Sequence, residues 1–394
     1  MNSLLILIGY EYKKIFKRKS TWIALFTAVF LVLLTCLSKT WGTVYVDGKP
    51  TYSHYEELTT DRAYAGALAG RNIDGELIRE MQEAYRKVPD VPLYTATKEY
   101  QTYARPYSAI YQMVRSVWKD PEQMDVDSFY ELRMQLISEL FQRENLTDIE
   151  ISKHLEKNSR IKTPFIFQYA DGYDDIIKNI YTLGFTITFL IAICLAPVFA
   201  NEYSENTDQV LLSARFGKNK AIHAKLITGI SFGIFASSLL LVIMNLLTLF
   251  IYGFSGWNAP IQFSLISSTA PLSMLEGVMI LNAMVIIASI LISSLSIFLS
   301  AKLKSSYGVI IIISTFTILC MFLNVPHQYR HLLQLVMAFP ANVMSSSAIF
   351  AEFYYVLFKQ CFTTYQVVPV IYGVISTALL IFGYRSFKNH QIGV

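Results

Sequence analysis

Long apolar runs broken by short polar ones set the first reading of this chain. Six stretches reach the roughly 17 to 25 residues that a helix needs to cross a hydrocarbon core: 21–37, 180–200, 226–252, 273–300, 307–323 and 367–387. None has Asp, Glu, Lys or Arg near its middle; only Glu276 and Arg385 fall inside these limits, each near an end. The pattern predicts an all-α integral membrane protein with six transmembrane helices. Ahead of the first run, Leu4, Leu5, Ile8, Tyr12, Ile15 and Phe16 largely share one side of a 3.6-residue period, with Lys13, Lys14, Lys17, Arg18 and Lys19 interleaved or following. That describes an N-terminal helix lying in the membrane interface; the plainer reading is a basic flank that fixes topology.

Between the first two runs lies a polar segment, 39–178, too long for a loop without structure. It reads as a mostly helical domain. Ile73, Leu77, Met81, Ala84 and Val88 recur at helical spacing until Pro89. Asp127 or Ser128 opens a second helix to Arg143, and Thr147 with Glu150 forms a capping box for a third. Tyr94, Tyr100, Tyr103, Tyr107 and Tyr111 stand at spacings that put most of the last group on one helix face, as core or as an apolar binding surface. A second such segment, 324–366, is apolar but interrupted by Pro326 and Pro340. Re-entrant-like outer helices before the last span fit it best. The domains are therefore 1–38, 39–178 and 179–394.

Charge sets the orientation. Lys and Arg gather before the first run, after the second (Arg215, Lys218, Lys220, Lys225), after the fourth (Lys302, Lys304) and at the end (Arg385, Lys388). The opposite short loops hold Arg330 and Lys359. By the positive-inside rule both termini and the segment 201–225 are cytoplasmic, and 39–178 is extracellular. The net charge of +4 is then a topological asymmetry and not a nucleic-acid signal. None of the four cysteines falls in the large outer segment, so no disulfide framework is expected there. The stretch after the first run lacks a clear cleavage site, so that run is expected to stay as an anchor.

Catalytic signatures are missing. There is no G-x-x-x-x-G-K-[ST], no H-E-x-x-H, no G-x-S-x-G and no Cys/His ligand spacing. His327 and His331, four apart, lack a third ligand. Glu276 is the one candidate carboxylate for an ion-coupled carrier, though a helix-end cap is the preferred reading. Ser289, Ser293, Ser296 and Ser300 line one face of the fourth run. They read as a close-packing seam or as a mildly polar wall to a translocation path. No cofactor is expected in this chain.

The stretch 201–225 is longer than a connection requires. It carries Glu202, Glu205 and Asp208, then Val210, Leu211 and Leu212, then bases from Arg215 onward. An apolar knot rimmed by charge suits docking of a cytoplasmic partner protein; the bland alternative is an unpartnered interfacial helix. Together with the N-terminal Tyr10-Glu11-Tyr12-Lys13-Lys14-Ile15-Phe16, the exit Asn201-Glu202-Tyr203-Ser204-Glu205-Asn206, Val210-Leu211-Leu212-Ser213 with Arg215, and the entry Ala224-Lys225-Leu226, the chain resembles permease subunits of the ABC-2 family of ATP-binding cassette transporters. It is most similar to the branch with a large extracellular insertion after the first span. The resemblance implies an exporter of an amphiphile (antimicrobial peptide, drug or lipid) in a bacterial plasma membrane. It implies a second permease chain and a separate ATPase subunit that holds ATP and Mg. It also implies a coupling surface at Glu11, Lys14, Glu202, Glu205, Leu211, Leu212 and Arg215. Two alternatives stand beside it: a membrane sensor with a ligand-binding outer domain, and an ion-coupled carrier.

Overall fold

The computed structural model describes residues 2–214, 216–323, 325–351 and 353–389. The chain is mostly helical, with two short hairpins. Five stretches are long and apolar enough to cross a membrane: Lys19–Thr40, Asp171–Ser204, Gly217–Tyr252, Met274–Leu303 and Thr364–Lys388. The predicted run 307–323 is the apolar helix Ser306–Phe322, which is shorter, at 17 residues.

The helix Met274–Leu303 is central and packs against Asp171–Leu195, Ile222–Tyr252 and Thr364–Lys388. It begins at a capping box, in which the Ser273 side chain accepts from Glu276 N and the Glu276 carboxylate accepts from Ser273 N at 2.8 Å. Its serine face is fully buried, and Gly233 of the neighbouring helix lies so close that a Cβ there would stand 2.0 Å from Ser293 Oγ. Only glycine permits that approach.

Pro197 divides the second apolar run. It has no N–H, and its ring crowds the carbonyl one turn back, so the hydrogen-bond ladder opens. The Ser300 hydroxyl enters the gap. It donates to Ala196 O at 2.6 Å and accepts from Phe199 N and Ala200 N, both at 3.0 Å. The result is a helix Asp171–Leu195 followed by a re-aimed piece, Pro197–Ser204.

The domain 39–178, expected on the outer side, has its own core around Ile73, Leu77, Ile78, Met81, Ile110 and Val114. Helices Gly75–Tyr85, Phe129–Arg143 and Asp148–Asn158 fall where the periodicity and the Thr147/Glu150 box put them. Two expectations are corrected. First, the hairpin Thr43–Val46/Lys49–Ser53 precedes the helices, turning through Asp47 and Gly48 with positive φ of 51° and 74°. Asp-Gly between alternating residues is a strong hairpin signal, because a two-residue turn of this hand needs positive φ at both positions. Second, the tyrosines do not share one helix. The chain passes through Tyr94–Ala96, a wide turn Tyr100–Ala104 and Arg105–Tyr107 before Ser108–Val117, since Pro106 cannot sit inside a regular helix. Core is nonetheless what most of them form, with Tyr85 stacked on Tyr111 at 3.9 Å.

The second outer segment holds short helices, Arg330–Met337, Pro340–Val343 and Ser346–Ile349, as expected. It then forms a hairpin, Tyr355–Leu357/Gln360–Phe362, which was not expected. Buried charge fastens the outer domain to both outer loops. Arg133, 2% exposed, donates to Ile266 O at 2.9 Å, Ser268 O at 2.8 Å and Asn158 Oδ1 at 3.0 Å; burial lowers its pKa to about 10. Glu150 is fully buried and accepts from Thr147 N and Tyr354 N, both at 2.9 Å, with Arg330 beside it. Burial disfavours the Glu150 anion, but those donors and Arg330 together hold its carboxyl below the ordinary carboxylate range. His327 Nδ1 lies 2.6 Å from Glu144 Oε2, so it is engaged in this clamp and not in a metal site with His331.

Candidate functional site

Three elements meet at the end of the bundle that the lysines mark. The helix Asn2–Lys17 turns sharply at Arg18, whose backbone is extended, before Lys19–Leu37 begins. One of its faces packs under the third apolar helix: Ile15 is 2% exposed and Tyr12 Oη donates to Ser231 Oγ at 2.7 Å. Leu5, Ile6 and Tyr10 stay exposed. The kink at Pro197 aims Glu202 toward this helix, and Lys225 enters from the first turn of Ile222–Tyr252.

The side chains close into a neutral cluster of two acids and two bases. Lys225, 1% exposed, has its Nζ 2.7 Å from Glu202 Oε1, 2.9 Å from Glu11 Oε2 and 3.0 Å from Val198 O. Lys14 Nζ lies 2.8 Å from Glu202 Oε1 and 3.3 Å from Glu11 Oε1. Thr207 Oγ1 donates to Glu202 Oε2 at 2.7 Å. Buried charges persist only when paired and hydrogen-bonded, and here each acid meets both bases. Burial lowers the Lys14 pKa, but the two carboxylates outweigh it and the net shift is upward. Arg18 is shifted down by burial, and its Nη2 donates to Pro197 O at 3.3 Å.

Beside the cluster a cleft of about 750 Å³ opens, with Lys14, Lys17 and Arg18 on one wall and Glu205, Val210 and Leu211 on the other. The short helix Thr207–Ser213 forms that second wall. Val210 is 71% exposed, while Leu211 packs partly against the bundle core.

Of the predicted coupling residues, Glu11, Lys14 and Glu202 come together, and Glu205 and Leu211 lie on the cleft. Arg215 and the Leu212 side chain fall outside the described residues. The predicted path lining is different. Ser289, Ser293 and Ser296 are each 0% exposed and sealed in the helix seam, where Ser289 and Ser296 donate to carbonyls one turn back on their own helix. Glu276 sits about 20 Å along the helix axis from Ser289, since each residue rises about 1.5 Å. Its carboxylate is committed to the cap. Small residues at that seam serve close approach of helices, which closes off an open wall.

Two residues escaped the sequence reading. Lys225 reads as one more topological base, and Ser300 reads as a fourth member of a stripe. A lysine directly before an unbroken apolar run was the available signal for the first. Among the described residues no group of three or more His, Cys, Asp or Glu side chains could hold a metal ion. No protein-family model matches the chain, and no curated protein matches it in sequence. Among the described residues the arrangement is a set of ion pairs that ties three elements together beside an open cleft.

Proposed function

We propose that the chain is the permease subunit of an ABC-2 type exporter, moving an amphiphilic substrate with ATP hydrolysed in a separate subunit. In this reading helix 306–322 is the fifth of six spans, both termini are cytoplasmic, and the membrane is a bacterial plasma membrane. A second permease chain completes the transporter. One observation carries the proposal. The Glu11–Lys14–Glu202–Lys225 cluster, covered except at Lys14, ties the N-terminal helix, the loop after the second span and the foot of the third span into one body, beside a cleft open to a partner. Force applied at Val210 and Leu211 reaches those elements together, because the fixed ion pairs leave them no independent motion. Glu276, the carboxylate on which the ion-coupled alternative rested, is engaged in the Ser273 cap, which weighs against that alternative.

The test is ATP hydrolysis by the chain co-expressed and co-purified with a candidate ABC ATPase subunit. Parent complexes in lipid are expected to hydrolyse ATP faster than the isolated ATPase. Val210→Asp with Leu211→Asp is expected to abolish that stimulation without loss of the membrane fold. Full stimulation in the double variant sinks the reading, as does an outward location of Val210 by cysteine labelling.

A further inference from the structure

A second cavity, of about 440 Å³, lies between the outer domain and the outer end of the bundle. Its walls are of two kinds. Phe167 and Phe263 supply apolar surface, with their rings stacked at 6.1 Å between centroids. Asp61, Asp171 and Asp174 supply carboxylates, against which stands one lining base, Lys178, 2.5 Å from Asp174 Oδ2. Asp61 is matched from behind by the buried Arg105, with Nε 2.6 Å from its Oδ1. Three acids against two bases leave one negative charge unmatched.

The polar atoms here are also under-satisfied. Asp174 Oδ1 and Ser264 Oγ are shielded from solvent and have no hydrogen-bond partner. The hydroxyl of Tyr169, next in sequence to the lining residues Gln168 and Ala170 but not itself a lining residue, has none either. Acids at the start of a helix are favoured by its dipole, which accounts for Asp171 and Asp174 being where they are. The dipole does not account for an orphaned carboxylate oxygen, nor for Asp61, which lines the same cavity from the helix His54–Leu68. Buried polar groups left unpaired cost about 1–3 kcal/mol each, so a site that keeps several together is built for something that pairs with them. The three carboxylates are not gathered into a metal-binding group.

The geometry points to a binding site for a small amphiphilic organic cation: an ammonium group pairs with Asp174 and Asp171, and its apolar body lies against Phe167 and Phe263. The volume is within the range of small-molecule pockets, about 300–1,000 Å³. The site stands apart from the coupling reading, since its readout involves no nucleotide.

The probe is phenethylamine, titrated calorimetrically into the full chain in lipid nanodiscs, with empty nanodiscs as blank and phenethyl alcohol as the neutral control. Saturable one-to-one binding of the amine is expected, with the alcohol at least about tenfold weaker because it lacks the charge. Asp174→Asn and Asp171→Asn are each expected to weaken the amine at least about tenfold. Gln112→Trp, which fills the cavity from the helix Ser108–Val117 and keeps every carboxylate, is expected to abolish binding even if the Asn variants fold poorly. Equal affinity for amine and alcohol, no heat of binding up to about 10 mM, or binding untouched by Gln112→Trp overturns the inference.

Discussion

Replacing Lys225 by Met is the sharpest test of the charged junction. Methionine keeps most of the lysine stem, so packing against the bundle survives while the charge is lost. Glu11 and Glu202, with side chains 13% and 10% exposed, then face Lys14 alone, and Val198 O loses a donor. Removing one partner of a buried pair typically costs about 3–5 kcal/mol. Because Lys14 still reaches Glu202 at 2.8 Å, the lower end applies, about 3 kcal/mol. The loss falls on docking of the helix Asn2–Lys17, so its local opening is what changes. At 1.36 kcal/mol per factor of ten, amide hydrogen exchange across 2–17 is expected to accelerate about 100-fold in nanodiscs. Amides in the middle of Met274–Leu303 should hold their rates. Adding Glu202→Gln to Lys225→Met restores neutrality and is expected to recover part of the protection, whereas Lys13→Met, at an exposed position, is expected to do nothing. Exchange across 2–17 within about threefold of the parent in Lys225→Met would refute the idea that this cluster holds the helix in place.

Other outcomes follow from the same chemistry. The Glu150 carboxyl sits below its usual value, so its contribution is complete above pH about 4.5 and is lost as pH falls through the lower folded value. Pepsin should therefore cut within 325–362 progressively faster as pH is lowered below about 4.5, and Glu150→Gln should make that segment sensitive to a neutral protease already at pH 7. Equal protection of parent and variant at pH 7 would count against the clamp. Ser300→Ala leaves Ala196 O, Phe199 N and Ala200 N without the hydroxyl that fills the kink, a loss of about 2 kcal/mol. Ser289→Ala removes a single bond to Val285 O on its own helix, worth under about 0.5 kcal/mol. The Tm in nanodiscs separates the two, and equal shifts would show that the kink does not depend on Ser300.

Much of the architecture was legible because its causes are local. Apolar runs of membrane length, the box at Thr147 and Glu150, and the cap at Ser273 and Glu276 are each decided within a few residues of chain. Asp47-Gly48 was legible in principle, since positive φ at both positions is a property of those two residues. The second hairpin was not: it turns through Phe358 and Lys359 at φ of 50° and 63°, which neither residue favours.

The functional junction divides along the same line. Sequence alone determined which elements carry charge and which carry apolar surface, and so pointed to 201–225 and the first helix. It also determined that this chain carries no phosphate-binding loop. Only the tertiary structure decided that Glu202 is turned inward by Pro197 and Ser300, that Lys225 is a buried hub and that Val210 is the side chain left in the open. It also decided that the serine face is a closed seam. The reason is physical: a charge is exposed, paired or buried according to what approaches it, and these partners come from positions about 200 residues apart.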